Sequence, residues 1–84
     1  MYRILFSSRA EKDKKRLKEA GLEERAKEIL NKMCEDPFAA PPAFRALKGN
    51  LAGFYSKRIN IKHRLVYQVI PEERIIKVLR IWTC

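Results

Sequence analysis

Tyr2, Ile4 and Phe6 alternate with Arg3, Leu5 and Ser7, a period of two that predicts a short opening strand. The period then changes to that of a helix. Ser8 stands three residues before Glu11, the capping-box spacing in which each side chain satisfies a free backbone N–H at a helix start. A helix is therefore predicted from about Arg9 to Ala20, closed by Gly21 in the left-handed conformation. Its apolar positions are few (Ala10, Leu17, Ala20), so it should lie largely exposed and pack by a narrow edge. Leu22, Ala26, Ile29, Leu30 and Met33 form a stronger apolar stripe and predict a second helix that ends before Asp36-Pro37.

Residues 37–46, PFAAPPAFRA, hold three of the chain's four prolines and read as an extended linker without regular structure, pinned by Phe38 and Phe44. Beyond it, Phe54 to Ile59 and Arg64 to Val69 read as two strands joined by the short Asn60 to His63 connection. Arg74 to Trp82 forms a third strand after the Pro71-Glu72-Glu73 turn. Its Ile75, Ile76, Val78, Leu79 and Ile81 mark a central position covered on one face by helices. The 84 residues thus predict one α+β domain. An N-terminal strand and a two-helix hairpin pack on one face of a four- to five-stranded, mostly antiparallel sheet, with the first strand beside the last.

Charge sharpens this picture. Residues 8–36 hold nine basic and eight acidic side chains, whereas residues 37–84 hold nine basic and two acidic ones. From Pro37 to Pro71 there are six Lys or Arg and no carboxylate. Cations gathered this way favour a polyanionic partner, because they speed encounter and release counterions from phosphate. Alternation sorts them further. Arg64, Val66 and Gln68 face one side of their strand and Leu65, Tyr67 and Val69 the other, while Ser56, Arg58 and Asn60 share a side that Lys57 avoids. Arg58 and Arg64 then share a face if the register allows, and their planar forks suit a phosphate between them. Pairing of these arginines with Glu72 or Glu73 is the alternative.

No apolar run approaches the ~18 residues of a membrane span, and no signal-peptide pattern opens the chain, so the expected compartment is the cytoplasm. Cys34 and Cys84 lack CxxC spacing, and neither a metal site nor a disulfide framework is indicated. The sole histidine, His63, is expected at the hairpin turn in a capping role, pointing away from the side that Arg64 faces.

The run LKGNLAGFYSKRINIKHRLVYQV from Leu47 to Val69, with RIWT at Arg80 to Thr83, resembles the YoeB/Txe branch of the RelE/ParE toxin superfamily. The similarity covers essentially the whole chain, including the two-helix lead and the DPF-to-PP linker. It implies a RelE-like fold and a toxin that cleaves mRNA at the ribosome with no metal or other cofactor. It also implies neutralisation by an acidic antitoxin that folds upon binding, and leaves open whether the chain forms a homodimer. In that chemistry the ribose 2′-OH attacks the adjacent phosphate, which calls for a base, a cation for the phosphorane and an acid for the 5′-oxygen. The resemblance places Arg64 on the family's arginine. Arg45 stands where the family has glutamate and Cys84 where it has histidine, departures that imply an attenuated enzyme or one that binds without cleaving. Arginine stays protonated, and cysteine is a poor stand-in for imidazole. A lysine and arginine cluster of Arg45, Lys48, Arg58 and Arg64 would imitate RelE-type relatives that lack the carboxylate. Lys57 and Arg80 complete the RNA-facing set, with Tyr55 and Trp82 as candidate stacking rings. The HRLVY text argues against the gyrase-directed ParE branch.

Overall fold

The computed structural model describes residues 1–39 and 43–83. Five strands and two helices follow in the order β1 (Arg3–Phe6), α1 (Ser8–Glu19), α2 (Glu23–Glu35), β2 (Phe44–Ala46), β3 (Tyr55–Arg58), β4 (His63–Ile70) and β5 (Ile75–Thr83). A short 3-10 turn, Gly49–Leu51, precedes β3. The sheet runs β1-β5-β4-β3-β2. β1 is parallel to β5, and the other neighbours are antiparallel.

The helices cover one face. Ala10 and Leu17 of α1 and Ala26, Ile29 and Met33 of α2 pack on Leu65 and Tyr67 of β4 and on Ile76, Val78 and Ile81 of β5. Burying these side chains is the main drive for collapse in a domain this small. The apolar stripe predicted for α2 is the one it buries, and Gly21 adopts the expected positive φ of 72° after α1.

Three details differ from the sequence reading. The helix cap is Ser7, not Ser8: its Oγ accepts from the Ala10 N–H at 3.0 Å and donates to the Leu79 carbonyl at 2.6 Å. One hydroxyl thus ends β1, starts α1 and ties both to β5. The linker was expected to lack regular structure, yet Phe44–Ala46 forms β2, with Arg45 opposite Ser56 and Phe44 opposite Lys57. The prolines precede this segment rather than interrupt it, so its N–H groups remain free to pair. Residues 40–42 of that linker lie outside the described residues. Finally, the last strand starts at Ile75 rather than Arg74, because Arg74 closes the preceding turn at a φ of 54°.

The reading of α1 as a mainly solvated helix also missed Asp13, which is buried. β1 reaches only to Val78 in the register, leaving the outer edge of β5 beyond it without a strand neighbour on that side. α1 supplies the missing partners. Asp13 Oδ2 accepts from the Ile81 N–H at 2.9 Å and from Arg80 Nε at 2.9 Å. A buried backbone donor is thereby satisfied by a side chain, as the cost of leaving it orphaned demands.

Candidate functional site: an arginine-lined cleft

The face of the sheet away from the helices holds the charge. Cross-strand partners share a face, and the register sets Arg45 of β2 opposite Ser56 of β3, which lies opposite Val66 of β4. One step along, Arg58 of β3 lies opposite Arg64 of β4. Arg45, Ser56, Arg58 and Arg64 line a cleft of about 640 Å³ together with Arg25, Ala43, Phe44, Ile59, Asn60 and Ile61. Four arginines and no carboxylate contribute to its described lining. The alternative pairing of Arg58 or Arg64 with Glu72 or Glu73 has no ion pair among the described residues to support it.

Arg25 was not legible in the sequence, where it is one more charge on the exposed side of α2. Its Nε donates to the carbonyl of Ile59, thirty-four residues away, and this bond brings the guanidinium to the end of the β3–β4 hairpin. The hairpin tip is itself fixed. Asn60 Oδ1 accepts from the N–H groups of Lys62 at 2.9 Å and His63 at 2.7 Å and lies 3.0 Å from His63 Nδ1. His63 opens β4 instead of lying in the turn, is buried outside the cleft lining, and sets its ring against the Asn60 side chain, which does the capping.

The other predicted contacts separate from this cluster. Lys57 faces the helices, is 1% exposed, and donates its ammonium to the Ala39 carbonyl. Burial lowers its pKa, with Lys32 acting in the same sense and Asp36 opposing. Its single-residue offset from Arg58 is enough to move it to the opposite side of the sheet, so its place in the RNA-facing set is corrected. Tyr55 shares the helix face. Its ring lies 5.1 Å from Phe38, 5.9 Å from Phe44 and 5.9 Å from Tyr67, half-buried in an aromatic cluster instead of open for a base. Arg80 has Val66 as its register partner but turns its guanidinium to Asp13. Hydrogen bonding to Asp13 raises the Arg80 pKa, so it serves the edge of β5 and not the cleft. Lys48 is exposed at the start of the 3-10 turn and is not part of the lining. Cys84 lies outside the described residues, as does the side chain of Trp82.

Arg45, Arg58 and Arg64 are therefore brought together, with Arg25 added. Like charges directly opposite one another are unfavourable, and a bound phosphate is the ligand that relieves such an arrangement bidentately. The lining also offers the buried Ser56 and the Asn60 side chain as polar groups. None of its described side chains accepts a proton readily at neutral pH.

Comparison with known proteins follows the same outline. Residues 6–82 match the family described as YoeB-like toxin of bacterial type II toxin-antitoxin system. Toxin YoeB of a Synechocystis strain is 38% identical over 64 residues, which are 76% of this chain and 67% of that protein. Against two further toxins named YoeB, from Escherichia coli and Streptomyces coelicolor, the match spans 63% and 62% of their length. A YoeB-YefM complex from Staphylococcus aureus is similar over 100% of this chain and 98% of the solved one, at a TM-score of 0.82 and 30% identity. A YoeB dimer from the same bacterium matches over 99% and 97%, with the same TM-score and identity.

Proposed function

This chain belongs to the YoeB-like toxin family of bacterial type II toxin-antitoxin systems, and we propose that its arginine cleft holds the ribose-phosphate link of mRNA. Arg58 and Arg64 clamp the phosphate, and Arg25 and Arg45 extend the positive field around it. When the 2′-OH attacks, its oxygen bonds to phosphorus and the bond to the 5′-oxygen breaks, leaving a cyclic phosphate. The guanidiniums are aimed where negative charge grows in that phosphorane, the kind of preorganised stabilisation that contributes most to such reactions. The proton of the 2′-OH has no dedicated acceptor in the described lining, because Arg45 occupies the place that the resemblance gives to glutamate, so that proton passes to water and the departing 5′-oxygen takes its own from water. The chain is accordingly a weakened ribonuclease. It would act on mRNA at the ribosome and be neutralised by an acidic antitoxin segment lying over the same cations.

The observation that carries this reading is a lining with four arginines and no carboxylate. The same observation favours a second reading, in which the chain binds RNA and antitoxin without cleaving. Pairing as in the solved Staphylococcus aureus dimer is the proposed assembly. One experiment separates the two readings. Arg45→Glu combined with Cys84→His is assayed on a single-stranded oligoribonucleotide and for growth arrest on expression. A general base and acid each contribute on the order of 10²–10⁴, so a rise of at least about 100-fold over a weak parental rate supports the ribonuclease. Cleavage absent from both proteins, with RNA still bound in a salt-dependent way, leaves the binding reading. Absence of RNA binding overturns both.

A further inference from the structure

We propose that Ile61 is an apolar wedge for RNA: it lies against a nucleobase next to the phosphate held in the arginine cleft and opens the base stack there. The inference rests on the phosphate-binding reading of that cleft and adds the residue that shapes the substrate.

Ile61 is 82% exposed, more than any other large apolar side chain of the described residues, and it lines the cleft beside Arg58 and Arg64. A single exposed isoleucine is ordinary on a protein surface. Its setting is not, because the tip that carries it is braced from three sides. Asn60 Oδ1 takes two backbone N–H groups of the turn, at 2.9 and 2.7 Å. The N–H groups of Ile59 and Asn60 both donate to the His63 carbonyl, at 2.8 and 3.2 Å. Arg25 holds the Ile59 carbonyl from α2. Turn positions of this kind favour Gly, Asn, Asp or Ser, yet a β-branched side chain, stiff at χ1, stands here on a held backbone and faces solvent at the rim of a cationic cleft.

Attack by a 2′-oxygen requires it to line up with phosphorus and the departing 5′-oxygen. A continuously stacked strand holds the 2′-oxygen away from that line, so the step must be splayed before reaction. Apolar side chains such as isoleucine achieve this elsewhere by entering between bases, and single-stranded RNA is recognised through bases that have left the stack. Ile61 is the most exposed apolar group of that lining, ahead of Phe44, and so the one placed to do so while arginines hold the phosphate. A protein partner is the less favoured occupant, because four arginines are interspersed with the apolar side chains of that lining, whereas protein interfaces use a contiguous apolar patch depleted of charge at its centre.

The test uses the full chain and a set of single-stranded oligonucleotides with 2′-O-methyl sugars, which cannot be cleaved. Each carries one 2-aminopurine, moved a position at a time, whose fluorescence rises on unstacking. Wild-type protein is expected to raise the signal at a restricted set of positions. Ile61→Ala should lose that rise and bind about tenfold more weakly, with the salt dependence of binding and the melting temperature unchanged. Ile61→Leu should keep the rise. Binding without any rise, or a rise that survives in Ile61→Ala, overturns the wedge and leaves the phosphate reading intact. Failure of the wild type to bind overturns both. An Ile61→Ala protein that handles RNA normally but changes its self-association in sedimentation assigns the tip to a protein contact and also overturns the proposal.

Discussion

Replacing Asp13 with alanine should destabilise the domain out of proportion to its place on a helix that reads as solvated. Two bonds disappear at once, from the Ile81 N–H and from Arg80, both at 2.9 Å. The two losses are unequal. The Arg80 side chain keeps 28% of its surface in water and can rehydrate, so its freed charge matters little. The Ile81 N–H sits in the core at the edge of β5 and finds no other described acceptor, leaving a buried donor orphaned at about 1–3 kcal/mol. Adding the charge-assisted character of that bond gives a total of about 3 kcal/mol for Asp13→Ala. Asp13→Asn retains an amide oxygen for the N–H and should lose about 1 kcal/mol. Arg80→Ala should cost less than either. In a domain of this size about 3 kcal/mol lowers the melting temperature by roughly 12–24 °C.

The assay is urea unfolding of the three variants beside the parent, with slopes compared to verify a common unfolded state. Acid titration adds a sign. Burial alone would raise the Asp13 pKa, but the hydrogen bonds from Arg80 and the Ile81 N–H and the charges of Arg80 and Arg16 outweigh it, and the net shift is downward. A depressed carboxyl contributes stability that is complete above its unfolded pKa of about 3.9 and disappears as pH falls through the lower folded value. The gap between parent and Asp13→Asn should close over that acid range and stay constant above it. An Asp13→Ala protein within about 0.5 kcal/mol of the parent would refute the account of the β5 edge.

Arg64→Ala should weaken RNA binding and reduce the slope of log K against log salt by about 0.7 for each phosphate of a single strand that the arginine neutralises, measured by fluorescence anisotropy. An unchanged slope removes Arg64 from phosphate. Tyr67→Phe should cost about 1 kcal/mol in urea unfolding by deleting the bond from its hydroxyl to the Pro37 carbonyl, which is 3.1 Å long. Burial, and then the neighbouring Tyr55, push the Tyr67 phenol well above its ordinary pKa. The neutral phenol therefore contributes stability that is present below about pH 10 and lost as pH rises from there towards the folded value. Tyr67→Phe should flatten that alkaline decline, and a decline of the same steepness in both proteins would contradict the assignment.

How much of this was legible in the sequence follows from the range of the forces involved. The α2 stripe, the alternation of β4 and the Gly21 turn are local patterns, and the structure keeps all three. The same alternation allowed Arg58 and Arg64 to share a face, and the register that sets them opposite each other completes it. β2 was hidden because prolines in residues 37–46 dominate the local signal, while its pairing depends on β3 a few residues further along the chain. Asp13, Arg25 and Arg80 were illegible for a stronger reason. Asp13 and Arg25 are charged residues in polar helix text and Arg80 is one in an apolar strand, and each has as partner a backbone group or side chain 34 to 68 residues away. Periodicity carries no information about such a bond. Lys57 is the reverse case: its neighbours suggested a basic surface, but a period of two assigns it to the covered face, and that local rule outweighed the composition around it.

That division of faces also explains how one small sheet carries both a core and a charged cleft. Stability comes from the helix side, where Leu65 and Tyr67 of β4 are fully buried beneath α1 and α2. On the other side Arg58 faces Arg64, with Arg25 and Arg45 around the same space, and this repulsion opposes folding. Any anion that binds the folded cleft removes the repulsion and stabilises the domain by mass action. RNA phosphates and an acidic protein segment would both draw on the same cations. On the proposed reading the two would compete for the shared guanidiniums, and an acidic partner that covered Arg58 and Arg64 would silence the site while holding the fold more firmly than the chain does alone.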